Sequence, residues 1–213
     1  MPRYAFRLWL KPDPLGIETY AQWHLHPFPG LYDLIRAAGI RRYTIWLDGA
    51  DLLLTREADD VTNAETLDMS NPLHKEWADT LTPLFDERVR GGPGVPTEVF
   101  ALEPDGQPGA AQMTYRTGLR AGQDAVDAIT TAHREMPPAV VDALRQASTR
   151  RQWTWVEDGD AWTYRESDDL DATAAALAAS NAYQAWVTSY ASHLDERTAS
   201  EGPRRTREVF RCD

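Results

Sequence analysis

Several things are scarce in this sequence, and each scarcity narrows the field. A single cysteine, Cys212, rules out an intrachain disulfide and any C-x-x-C metal or redox motif. Two lysines, Lys11 and Lys75, stand among 22 basic residues, leaving few side chains for Schiff-base chemistry. No apolar run approaches the roughly 20 residues that span a bilayer. The opening MPRYAFRLWLKP is charged and alternating, unlike a signal peptide. The motifs GxGxxG, GxxxxGK[ST], HExxH and GxSxG are all missing. Gly91-Gly92-Pro93-Gly94 lacks a following Lys-Ser/Thr and reads as a loop. A basic surplus is missing too: the net charge of -11 disfavours nucleic acid and anionic membranes as partners. His24 and His26 lie two apart, off a common helix face, so no metal site is expected there. These absences point to a soluble protein of a reducing cytoplasm that works on a small molecule.

What is present is a repeat. With 42% hydrophobic residues the 213-residue chain can build a packed core, as one large domain or two of about 100 residues. Residues 3–60 align with 112–169 at a constant offset of 109 with no gap, and 15 of 58 positions are identical. Arg7/Arg116, His24/His133, Trp46/Trp155, Arg56/Arg165 and Glu57/Glu166 are among them. Later landmarks recur with small length changes: Ser70-Asn71 and Ser180-Asn181, Trp77 and Trp186, Glu98-Val99-Phe100 and Glu208-Val209-Phe210.

Each copy reads as βαββαβ. In the first, Tyr4–Leu10 alternates as a strand and is followed by the breakers Pro12, Pro14 and Gly16. Residues 17–38 read as a helix interrupted at Pro27–Pro29 and closed by Gly39. Tyr43–Leu47 and Leu52–Thr55 form a hairpin across Asp48-Gly49. A second helix starts at Asp59-Asp60 and runs through Trp77 to about Glu87, and a final strand spans Glu98–Leu102. This is the split, ferredoxin-like unit. Helices on one sheet face leave the other needing cover, so the expected class is α+β, two such units packed as an intrachain pseudo-dimer of the dimeric α+β barrel type. The expected domains are 1–104 and 112–213, with 105–111 as linker.

Tyr20 and His24, spaced i and i+4, project from one helix face. With Tyr43 at the start of the second strand and Trp77 on the second helix, they make a plausible sugar pocket. Indole stacks on the apolar face of a pyranose, while phenol and imidazole address its hydroxyls. The same spacing also packs cores, and spacing alone leaves both readings open.

A resemblance favours one of them. MPRYAFRLWLKP, Tyr20-x-x-x-His24, Pro29, the segment Ala38–Asp48, Trp77 and Glu98-Val99-Phe100 together resemble the L-rhamnose mutarotases. The resemblance implies a small ferredoxin-like dimer-forming enzyme that interconverts sugar anomers without a cofactor. It puts His24 at the proton-donor position, work that suits a histidine with a pKa near 7, and Tyr20, Tyr43 and Trp77 at substrate-binding positions. Glu76 stands where the family has a second tryptophan. The second copy keeps His133 and Trp186 but has Ile129 and Gln152 at the Tyr20 and Tyr43 positions, so it reads as a degenerate site. Two rivals share the fold: a cofactor-free cyclase or monooxygenase acting on an aromatic or polyketide substrate, and a non-catalytic sugar-binding module.

Overall fold

A computed structural model describes residues 3–59, 70–157 and 159–212. Asp60, one of the two expected helix-starting residues, lies outside them. The chain divides into two compact units, 1–95 with 207–213, and 96–206. These are not the repeats of the sequence: each unit takes its last strand from the other half.

In the first unit, β1 (Arg3–Trp9) is followed by helices α1 (Pro14–Leu25) and α2 (Leu31–Ala37) and by the hairpin β2 (Ile40–Asp48) and β3 (Asp51–Ala58). Pro14 opens α1 where no amide donor is needed, and the Asp13 carboxylate caps it by accepting from the Gly16 amide at 2.9 Å. Pro27–Pro29 separates the two helices, as expected. The second helix is α3 (Pro72–Leu81), capped by Asn71, and it stops earlier than the sequence suggests, giving way to short 3-10 turns at Thr82–Leu84 and Glu87–Gly91.

Past Gly94, which bridges to Arg7, the chain enters the second unit as β4 (Thr97–Leu102) and pairs with β6 (Thr149–Glu157). The segment between β4 and β5 (Ala111–Gly118) therefore joins two strands of one sheet and is not an interdomain linker. The second unit continues with α4 (Gln123–Arg134), α5 (Pro138–Gln146), β6, β7 (Asp160–Ser167), α6 (Leu170–Ala179), α7 (Asn181–Ser189), α8 (Glu196–Glu201) and the two-residue β8 (Arg204–Arg205). The long helix expected here is broken at Ser180, whose hydroxyl caps α7. Finally β9 (Arg207–Cys212) pairs with β2 in the first unit. The sheet orders are β1-β3-β2-β9 and β4-β6-β7-β5-β8, all pairs antiparallel.

Strand alternation sorts each sheet into two faces. In the first unit Phe6, Leu10, Ile45, Leu47, Leu52 and Leu54 pack against Tyr20, Leu31, Ile35, Trp77 and Leu81 from the helices. The opposite face carries buried charge in pairs: Arg3 with Glu57, and Arg7 with Asp51 at 2.8 Å. The second sheet repeats the division. Its charged face holds Arg151 bidentate on the fully buried Glu166 at 2.8 and 2.9 Å, and Arg116 on Asp160 at 2.7 Å. An unpaired buried charge would cost several kcal/mol, so these matched partners are what makes the burial possible.

Candidate functional site

In the first unit, α1 turns Tyr20 and His24 inward, one above the other, with ring centroids 4.1 Å apart. The His24 Nδ1–H donates to the Tyr20 carbonyl at 2.9 Å, which fixes the tautomer, because a carbonyl only accepts. Nε2 therefore carries the lone pair. Burial pushes the His24 pKa down from 6.5 to about 4, so the ring is neutral at pH 7. This corrects the expectation of a histidine titrating near 7. Burial also pushes the Tyr20 phenol well above its usual range, and it stays protonated. Trp77, from α3, meets His24 edge-to-face at 5.1 Å.

Tyr43 joins this cluster through a residue that sequence reasoning missed. Phe210, on the strand contributed by the other half, lies 5.7 Å from His24, 5.3 Å from Tyr43 and 5.6 Å from Tyr32. The Glu-Val-Phe landmark marked the strand, but nothing in the pattern says that β9 would pair with β2. Arg56 was also missed: its Nη2 donates to the Tyr43 hydroxyl at 3.1 Å and its guanidinium lies 4.3 Å from the Tyr43 ring centre. Tyr20, His24, Tyr43 and Trp77 are all buried. Glu76 is exposed.

The second unit repeats the histidine arrangement. His133 Nδ1–H donates to the Ile129 carbonyl at 2.9 Å, and burial again pushes its pKa down. Trp186 stands 5.0 Å from His133 and spends its indole N–H on the Ala132 carbonyl at 3.0 Å. Tyr190, at a position where the first unit has Leu81, lies 5.1 Å from Trp186.

Here the space under the helices is a cavity of about 460 Å³, a size that suits a small-molecule ligand. Its floor is the helix-side face of the sheet, with Tyr115, Thr117, Gln152, Thr163 and Arg165 among its residues, and its walls include His133, Trp186 and Tyr190. The first unit has Phe6, Leu8, Tyr43, Leu54 and Arg56 at the floor positions. Sequence reading registered the losses at Ile129 and Gln152; it did not register that smaller floor residues hollow the unit out. Among the described residues no group of three His, Cys, Asp or Glu side chains is placed to hold a metal ion, and no helix is long and apolar enough to cross a membrane.

Residues 3–103 match the family model for L-rhamnose mutarotase. No curated protein matches the sequence. Among solved structures, a candidate monooxygenase from Lactobacillus acidophilus NCFM superposes with a TM-score of 0.53 at 8% identity, over 99% of this chain and 94% of its own. A candidate monooxygenase from Fusobacterium nucleatum gives the same score and identity, over 99% and 92%. At 8% identity the likeness shows the fold alone: α+β, two ferredoxin-like units, the class expected from the sequence.

Proposed function

We propose that the chain is a cofactor-independent sugar anomer epimerase of the L-rhamnose mutarotase type, a fused pair of units whose chemistry resides in the first. The observation that carries this reading is a coincidence of location. The span matching the mutarotase family, residues 3–103, is the one whose Tyr20, His24 and Trp77 rings meet.

The role of His24 differs from that of a standing acid. A neutral ring with its lone pair on Nε2 first takes the proton of the anomeric hydroxyl. The O–H electrons form the aldehyde carbonyl, the C1–ring-oxygen bond breaks, and its electron pair stays on the ring oxygen. The imidazolium then delivers the proton to that oxygen. After rotation about the C1–C2 bond the same steps run in reverse and close the other anomer. Tyr20, held protonated, donates a hydrogen bond to the ring oxygen as negative charge builds there. Trp77 holds the apolar face of the ring.

Saturation-transfer NMR on L-rhamnose and a panel of free sugars tests this directly. Wild type accelerates anomer exchange, and His24→Ala loses about 10²–10⁴-fold, the span of general acid–base catalysis. Unchanged exchange in His24→Ala would remove His24 from the chemistry. No acceleration with any sugar would retire the epimerase reading.

A further inference from the structure

One buried charge in the second unit meets no opposite charge among the described residues. Arg165 is 6% exposed and lines the cavity. Its Nε donates to the Gln152 carbonyl oxygen at 2.8 Å, and its guanidinium lies 5.6 Å from the ring centre of Tyr115. Both partners are neutral. Arg3, Arg7 and Arg151, equally buried, each meet a carboxylate. Arginine is rarely buried without such a partner, because a guanidinium taken out of water needs compensating charge. Among the described lining residues Arg165 is also the only one of Asp, Glu, Lys or Arg type. His133 adds no competing charge, since burial favours its neutral form.

We infer that the second unit's cavity is a binding site for a small aromatic monocarboxylate, whose carboxylate supplies the ion-pair partner that Arg165 lacks among the described residues. A single guanidinium with Nε already engaged offers its terminal amino groups, a geometry suited to one planar carboxylate. The walls name the rest of the ligand. Trp186 has its N–H occupied and offers only its ring, and Tyr190, Ile129 and Leu194 continue that surface. Such walls favour a flat apolar body over a polyhydroxylated one. Lining residues that are solvent-exposed, Ala178, Gln184 and Thr188, mark where a ligand enters. The inference is independent of the epimerase reading, which concerns the first unit.

Isothermal titration calorimetry on the full chain tests it, with 2-naphthoate, its neutral amide 2-naphthamide, D-galacturonate and inorganic phosphate as probes. The expected result is one 2-naphthoate per chain with a dissociation constant below about 1 mM. The amide binds at least tenfold more weakly, and so does 2-naphthoate to Arg165→Gln. Ala161→Leu leaves Arg165 in place, fills the floor with the residue that the first half carries as Leu52, and also abolishes binding. His24→Ala binds 2-naphthoate like wild type, so failure here and failure of the epimerase reading are told apart. The inference is overturned if 2-naphthoate does not bind, if the amide binds equally well, or if both cavity variants bind unchanged. Tighter binding of galacturonate or phosphate at the same site would overturn the aromatic carboxylate.

Discussion

The two units hold their histidines alike and use the space beneath them differently. In both, the ring Nδ1–H is tied to a carbonyl one turn back, and a tryptophan stands edge-on about one ring away. Under the helices of the first unit the sheet presents Phe6, Leu8, Ile45, Leu52 and Leu54; the second has Tyr115, Thr117, Thr154, Ala161 and Thr163. At about 24 cal/mol per Å³, a closed dry void of 460 Å³ would cost on the order of 10 kcal/mol, as much as the whole stability of a domain. The polar side chains of the floor and the exposed rim residues distinguish this cavity from such a closed apolar void. The second unit therefore has room beneath its helices where the first carries larger side chains, and both keep a buried arginine at the same floor position, Arg56 and Arg165.

The sharpest way to break this comparison is to delete each histidine in turn. His24→Ala is expected to lose about 10²–10⁴-fold in anomer exchange, while His133→Ala stays within about twofold of wild type. Equal losses in the NMR exchange assay would mean that both units do the same chemistry.

Next in size is the charged face. Glu166 is fully buried, takes two hydrogen bonds from Arg151 and accepts from the Tyr164 hydroxyl at 2.5 Å. Glu166→Gln removes the charge from this arrangement and should cost about 3–5 kcal/mol in urea unfolding. Glu57→Gln, at the matching position, should cost less, because one of its partners, Arg42, is half-buried and 3.6 Å away. The reverse order would show that the two charged faces are not counterparts.

Acid should strain both units through the same device. A histidine with a depressed folded pKa is bound more tightly to protons in the unfolded chain, so its stabilising contribution is complete above about 6.5. That contribution declines as pH falls and is lost once pH passes the folded value. For His24 the span runs from 6.5 to about 4, worth about 3 kcal/mol. Chemical denaturation at pH 7 and pH 4 should show wild type losing about that much more than His24→Ala. Anomer exchange, which needs the neutral ring, should be flat from pH 5 to 8 and fall near pH 4.

Much of this was legible in the sequence, and the unread part has physical reasons. Hairpins and helix breaks are local, so Asp48-Gly49 and Pro27–Pro29 announced themselves. Tyr20 and His24 were placed on one face by helix geometry alone. Strand exchange was not legible, because Glu98-Val99-Phe100 and Glu208-Val209-Phe210 are the same tripeptide and either sheet would accept either strand. The depressed histidine pKa was missed because it depends on burial, which spacing does not report. The cavity was half-visible: Leu52 against Ala161 and Leu54 against Thr163 are plain in the alignment, but an alignment read for shared residues passes over differences in volume.

The smallest effect is expected at a turn. Gly39, with φ of 78°, follows the end of α2, its amide donating to the Arg36 carbonyl at 3.0 Å. Ser148 stands 109 residues later with φ of 61°, its amide donating to the Arg145 carbonyl at 2.9 Å. The turn is the same, but a Cβ makes the left-handed conformation costly at Ser148 and free of that cost at Gly39. Ser148 is exposed, so replacement disturbs no packing. Ser148→Gly should therefore stabilise by about 0.5–1 kcal/mol, offset in part by the greater freedom of glycine in the unfolded chain. Gly39→Ser should destabilise by a similar amount. Differential scanning calorimetry of the two variants would read the pair. A lower Tm for Ser148→Gly would mean that the serine side chain contributes something at this turn that glycine does not replace.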